Sequence, residues 1–148
     1  MMSKLTFLGF EPYNSKTDDE HVHFTVIMAR FENKWIFVQH KRRTTLEAPG
    51  GKREPNESLL ACARRELREE SGAVIFALRP LRIYSVRDEK TGIVSSGLLC
   101  FARVTELGPL PESEISNVYL IKTCPTDMTY PTILPHIFDY VTRTLSLS

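Results

Sequence analysis

The stretch that most constrains this chain is residues 50–73, GGKREPNESLLACARRELREESGA. Leu59, Leu60, Ala63 and Leu67 recur at helical spacing, with no Gly or Pro among them, and Gly72 follows as a C′ residue. A helix is predicted over Glu57–Ser71. Near its end stand three carboxylates, Glu66, Glu69 and Glu70. At about 100° per residue they share an arc of roughly 100°. Glu66 and Glu70 are an i,i+4 like-charge pair, which destabilises a helix by about 0.2–0.5 kcal/mol. They also sit where the helix dipole disfavours anions. Arg65 lies four residues before Glu69, while Glu66 and Glu70 have no helical partner at that spacing. A hard divalent cation with oxygen ligands, Mg²⁺ or Mn²⁺, would resolve the conflict. The competing reading is a solvated face whose mixed charges neutralise one another. The upstream APGGK favours the ion, because paired glycines after a proline let backbone approach a ligand closely.

The rest of the chain supplies the setting. Its 148 residues suit a single domain, 1–148, and 42% hydrophobic with 25% charged residues is a soluble globular balance. A net charge of +1 gives no track for a long nucleic acid and no membrane-binding surface. Cys62, Cys100 and Cys124 match neither a zinc pattern nor a C-x-x-C motif, so free thiols and a cytoplasmic location are expected. The first residues hold no apolar run of signal-peptide length, and no segment is apolar for long enough to span a membrane.

Strands are expected near Leu5–Phe10, in HVHFTVIMAR, in WIFVQHKR, across AVIFALRPLRIYSV with Pro80 at an edge or bulge, in IVSSGLLCFARV and in SNVYLI. EPYNSKTDDEH reads as a loop and FENK as a hairpin turn. Ile133, Ile137, Tyr140, Val141 and Thr144 predict a closing helix with Pro135 in its first turn. The order argues for an α/β fold, a mixed sheet covered by helices.

Gly51, Glu57, Arg65, Glu66, Leu67, Glu69, Glu70 and Gly72 stand at every spacing of G-x5-E-x7-R-E-U-x-E-E-x-G-U, where U is a bulky aliphatic. That is the signature of the Nudix hydrolases of MutT type, which this chain resembles. The departure is Ala73, smaller than the usual final aliphatic. The resemblance implies an α/β/α sandwich and a pyrophosphohydrolase that cleaves a nucleoside diphosphate linked to another group, using Mg²⁺ or Mn²⁺. By position it makes Glu66, Glu69 and Glu70 metal ligands, with a Gly50 or Gly51 carbonyl as a further one. Glu66 is also the general base proposed for some members. Arg65 would orient a carboxylate and Glu57 would steady the loop–helix junction. A loop acid completes the site in several members, and Glu112 and Glu114 are candidates, Glu114 preferred as it adjoins a strand.

Substrate contacts are sought in Lys41, Arg42 and Arg43 at the entrance of the glycine loop, and in Gly50 and Lys52 within it. Arg suits bidentate phosphate contact. His40, His21 and His23 lack metal-like spacing with the glutamates and are assigned to core or edge positions, and Trp35 and Phe37 to the core. The substrate expected is a small-molecule nucleotide. A nucleoside triphosphate, including oxidised purines, cleaved to monophosphate and pyrophosphate is preferred over a nucleotide sugar or dinucleoside polyphosphate. A non-catalytic nucleotide sensor of the same fold is the alternative. An isoprenyl diphosphate isomerase is disfavoured, since Cys62 is misplaced for it. Dimers are common among such proteins, so a homodimer is a candidate assembly.

Overall fold

Residues along the central strands alternate so strictly between two apolar clusters that the sheet must be covered on both faces. The computed structural model describes residues 4–147. Within it run β1 (Leu5–Glu11), α1 (Ser15–His21), β2 (Phe24–Phe31), β3 (Lys34–His40), β4 (Gly50–Lys52), α2 (Leu59–Ser71), β5 (Ala73–Asp88), β6 (Val94–Leu107), β7 (Ile115–Ile121) and α3 (Leu134–Thr144). On one face, Ile27 and Ala29 of β2, Ile36 of β3, and Leu98, Cys100 and Ala102 of β6 pack with Leu59, Ala63 and Leu67 of α2. On the other, Met28, Trp35, Phe37, Leu99 and Phe101 pack with Leu134, Ile137 and Val141 of α3. Fully burying one such aliphatic or aromatic side chain contributes about 1.5–3 kcal/mol. The layers are therefore helix, sheet, helix, as expected. The sheet order is β1-β5-β6-β2-β3-β7, with β4 paired to β2. It is mixed, because β2 and β6 run parallel while the other pairs are antiparallel.

The β2–β3 hairpin positions the site. Glu32 and Asn33 both have positive φ, 52° and 65°, as a two-residue primed turn requires. The two strands pair only at Arg30↔Trp35 and Phe31↔Lys34. Beyond that they part, and the segment 47–52 is wedged between them. Val38 and Glu47 exchange backbone hydrogen bonds of 2.8 and 3.0 Å on one side. On the other, Val26, Thr25 and Phe24 pair with Gly50, Gly51 and Lys52. The glycine stretch is thus a short strand.

Other expectations meet the structure in detail. The Ser58 side chain caps α2 by accepting from the Ala61 N–H, and Gly72 closes it in the left-handed conformation. Pro80 lies at a bulge, where the register shifts between Pro80 and Arg82, and Pro135 lies in the first turn of α3. Trp35, Phe37 and Cys62 are fully buried. EPYNSKTDDEH is not all loop. Ser15–His21 is helical, capped by Asn14, whose side chain accepts from Lys16 N–H at 3.0 Å. None of its residues is buried, so it carries no apolar period to betray it. Val22, inside the stretch expected as a strand, instead caps that helix and packs in the cluster on the α2 side of the sheet.

Candidate active site

The wedge brings the glycine strand against the C-terminal half of α2. A Cβ on Gly51 would stand 2.6–2.8 Å from the carboxyl atoms of Glu66, so only a glycine lets that carboxylate lie against the backbone. Glu66 is also fixed from the other side by Arg65, whose Nη1 donates to it at 2.7 Å. Arg65 is the hub. It donates to both oxygens of Glu57 at 2.7 and 2.9 Å, to Glu69 at 3.3 Å, and to the Lys52 carbonyl at 3.2 Å. These bonds hold the guanidinium protonated, the Glu57 pair foremost, and its hydrogen bond holds the Glu57 carboxyl below the usual range. Loop and helix are thereby locked together through one bidentate ion pair. Arg65 also supplies the partner that Glu66 lacked by helical spacing.

Glu70 faces the wedge from the next turn. It is only 7% exposed, and its Oε1 accepts from the Gly50 N–H at 3.0 Å. Burial, then the carboxylates of Glu66, Glu47 and Glu114, push its carboxyl from 4.5 up to about 8 against the Gly50 hydrogen bond. Burial also raises Glu66 against the pull of Arg65, with Glu69 adding repulsion. Glu69 itself is half exposed. Glu114 is 88% exposed at its side chain, but its carbonyl accepts from the Lys41 N–H at 2.8 Å, which fixes the loop to the end of β3.

Two participants were not legible as site residues. Glu47, on the wedge, lies against Arg43 at 2.9 Å and His40 at 3.1 Å. His40, assigned to core or edge, stands within 3.9 Å of both Glu70 and Glu114. Spacing from the glutamates in the chain says nothing here, because β3 reaches the site through the open hairpin. The signal for Glu47 was a lone charge in the apolar run before Pro49. Arg43 is drawn to Glu47 and Tyr130, which together hold it charged despite burial. Lys41 and Lys52 are exposed at the rim. Glu112 is an exposed loop acid, and His21 and His23 line a second groove with Glu11 and Asp18.

The donor set fits a hard divalent ion in chemistry: oxygen ligands, and buried carboxylates whose charges repel one another. As placed, no three His, Cys, Asp or Glu side chains converge on one point among the described residues. Arg65 and Gly50 N–H hold the three helix carboxylates instead.

Beside this cluster a cavity of about 430 Å³ runs between the sheet and α3. Gly50, Gly51 and Glu47 form its mouth, and Val26, Tyr84, Val86, Leu134 and Ile137 line much of the rest.

The family model of the NUDIX domain matches residues 19–130. The chain belongs to that family. It is 34% identical over 100 residues, 68% of its length, to a Bacillus subtilis (strain 168) protein that bears the provisional name 8-oxo-dGTP diphosphatase YtkD. The match spans 60% of that relative. Among solved structures, a point mutant of the Bacillus subtilis pyrophosphohydrolase BsRppH superposes with a TM-score of 0.76 at 21% identity, over 97% of this chain and 93% of that one. The MutT NUDIX hydrolase of Burkholderia pseudomallei superposes at 0.60 and 16% identity, over 80% and 96%. These superpositions show that the Nudix fold extends over nearly the whole chain. No helix among the described residues is long and apolar enough to cross a membrane.

Proposed function

We propose that this Nudix protein is a divalent-metal-dependent pyrophosphohydrolase acting on a nucleoside triphosphate, oxidised purine nucleotides among them, and releasing the monophosphate and pyrophosphate. The observation that carries the reading is the juxtaposition at the Gly50–Gly51 mouth. A half-open, largely apolar cavity suited to a base is lined in part by Gly50 and Gly51, which also lie against the crowded carboxylates Glu70 and Glu66. Glu66, Glu69 and Glu70, with the Gly51 carbonyl and Glu114, would hold Mg²⁺ or Mn²⁺. Such ions neutralise phosphate charge and acidify a bound water. The chain's own groups do the rest. Arg65, braced by Glu57, sets the angle of Glu66 and Glu69. The glycine wedge lets phosphates lie close to backbone, and Lys41 and Lys52 add positive charge at the rim. Glu66 is suited to accept the proton of the attacking water, being held against Gly51 and partly shielded from solvent. Arg43 braces Glu47 at the mouth, and His40 ties Glu47 to the Glu114 loop.

The test is product analysis with nucleoside triphosphates, nucleotide sugars and dinucleoside polyphosphates, first with Mg²⁺ and then with chelator. Monophosphate and pyrophosphate in equal amounts, only with metal, are expected. Turnover in chelator would overturn the proposal, and metal-dependent binding without turnover would make the protein a nucleotide sensor.

A further inference from the structure

Tyr84, Gly97, Phe24 and Lys52 are register partners in one row across β5, β6, β2 and β4. The Tyr84 ring lies directly over Gly97. A Cβ at Gly97 would fall 2.4 Å from the Tyr84 hydroxyl oxygen and 2.5–2.6 Å from the adjacent ring carbons. The ring can therefore cross β6 toward the β2–β4 edge, where the glycine wedge lies, only because position 97 has no side chain. Tyr84 is 8% exposed and lines the cavity. No described residue hydrogen-bonds its hydroxyl, and Tyr130 is its titratable neighbour. Burial pushes the phenol well above its ordinary 10, so the proton stays on. Ser96, which shares the lining, has its hydroxyl engaged by Ser85 at 2.8 Å. The surrounding wall of Val26, Val86, Ile133, Leu134 and Ile137 is apolar. The hydroxyl is not sealed away from the cavity, so it can bond a group that enters there. A buried O–H donor in an apolar cavity is the usual device by which a binding site selects one functional group.

We infer that Tyr84 is a specificity-determining residue of the nucleotide cavity, its hydroxyl donating to a ring carbonyl oxygen of the base, with Gly97 kept small to let the ring reach that position. This rests on the nucleotide reading above and deepens it. The base class selected is one that carries a carbonyl acceptor, as hypoxanthine, guanine and oxidised purines do and adenine does not. A phenol oxygen, its lone pair drawn into the ring, is a better donor than acceptor, so the adenine amino group is a poor substitute.

Tyr84→Phe removes the hydroxyl and leaves the ring in place. The experiment compares kcat/KM for ITP and ATP, which differ at the base in a carbonyl against an amino group, in the wild type and Y84F. Binding of IMP and AMP is measured by calorimetry in chelator. The ITP-to-ATP ratio is expected to fall about tenfold, the size of one hydrogen bond to a buried group, with the loss mainly in KM. The IMP-to-AMP affinity ratio should fall alike. Gly97→Ala, which displaces the ring, should lower the same ratios. Ratios within twofold of wild type in Y84F would overturn the role of Tyr84 and leave the hydrolase standing. A wild type that turns over no nucleoside triphosphate would sink the nucleotide reading itself.

Discussion

Removing the charge of Glu70 should stabilise the metal-free protein, contrary to the usual effect of altering a buried site residue. In the folded chain its carboxyl is pushed from 4.5 to about 8 by burial and by Glu66, Glu47 and Glu114. A carboxyl whose folded pKa lies above its unfolded one makes the ionised form a liability. The penalty is absent below 4.5, grows by about 1.4 kcal/mol per pH unit up to about 8, and is constant above. At pH 7 it amounts to about 3 kcal/mol by that linkage. Glu70→Gln keeps an oxygen to accept from Gly50 N–H and removes the charge. In chelator its melting temperature should exceed wild type by roughly 6–12 °C at pH 7, using about 2–4 °C per kcal/mol for a chain of this size. The gap should widen toward pH 8 and close toward pH 4.5. Adding Mg²⁺ should raise the wild type, since a ligand that binds only the folded state stabilises it, and raise the variant far less. Thermal melts across this pH range, with and without metal, measure all of this. A variant that melts at or below wild type at pH 8 in chelator would refute the idea that the carboxylates are crowded against one another.

Further outcomes follow from the same geometry. Glu69→Gln and Glu70→Gln should each lower kcat by orders of magnitude, read by pyrophosphate release, while circular dichroism shows the fold unchanged. Gly51→Ala places a methyl 2.6–2.8 Å from the Glu66 carboxyl. Glu66 must then swing off Arg65, so kcat/KM should drop at least about tenfold, the size of a lost charge-assisted contact, with little change in melting temperature. Arg65→Lys keeps the charge but loses the fork that grips both Glu57 oxygens. Activity should fall with it, and Glu57→Gln in the same background should add little, as a double-mutant cycle would show. Leu67→Ala empties a fully buried position under the sheet and should cost about 2–5 kcal/mol in urea unfolding.

The helix carboxylates, Gly51, Arg65 and Glu57 were legible because they lie on one continuous loop and helix, where spacing in the chain converts directly into proximity. The order of strands, with one central and one terminal helix, likewise pointed to a mixed sheet covered by helices. What the chain order hid depends on pairing. His40 and Glu47 are seven residues apart and reach Glu70 only because the hairpin opens and 47–52 inserts between its strands. No local pattern encodes that opening. The reach of Tyr84 depends on a glycine 13 residues away on the neighbouring strand, a relation that register creates and composition does not. Helix α1 escaped notice for the opposite reason, since it buries nothing and so leaves no period. The chemistry shared with the family therefore rests on local spacing, whereas the features that would set this protein's own substrate, Tyr84 over Gly97 and the His40–Glu47 pair, are products of strand register. Substrate choice can then change by altering one register partner while the carboxylate-bearing helix stays intact.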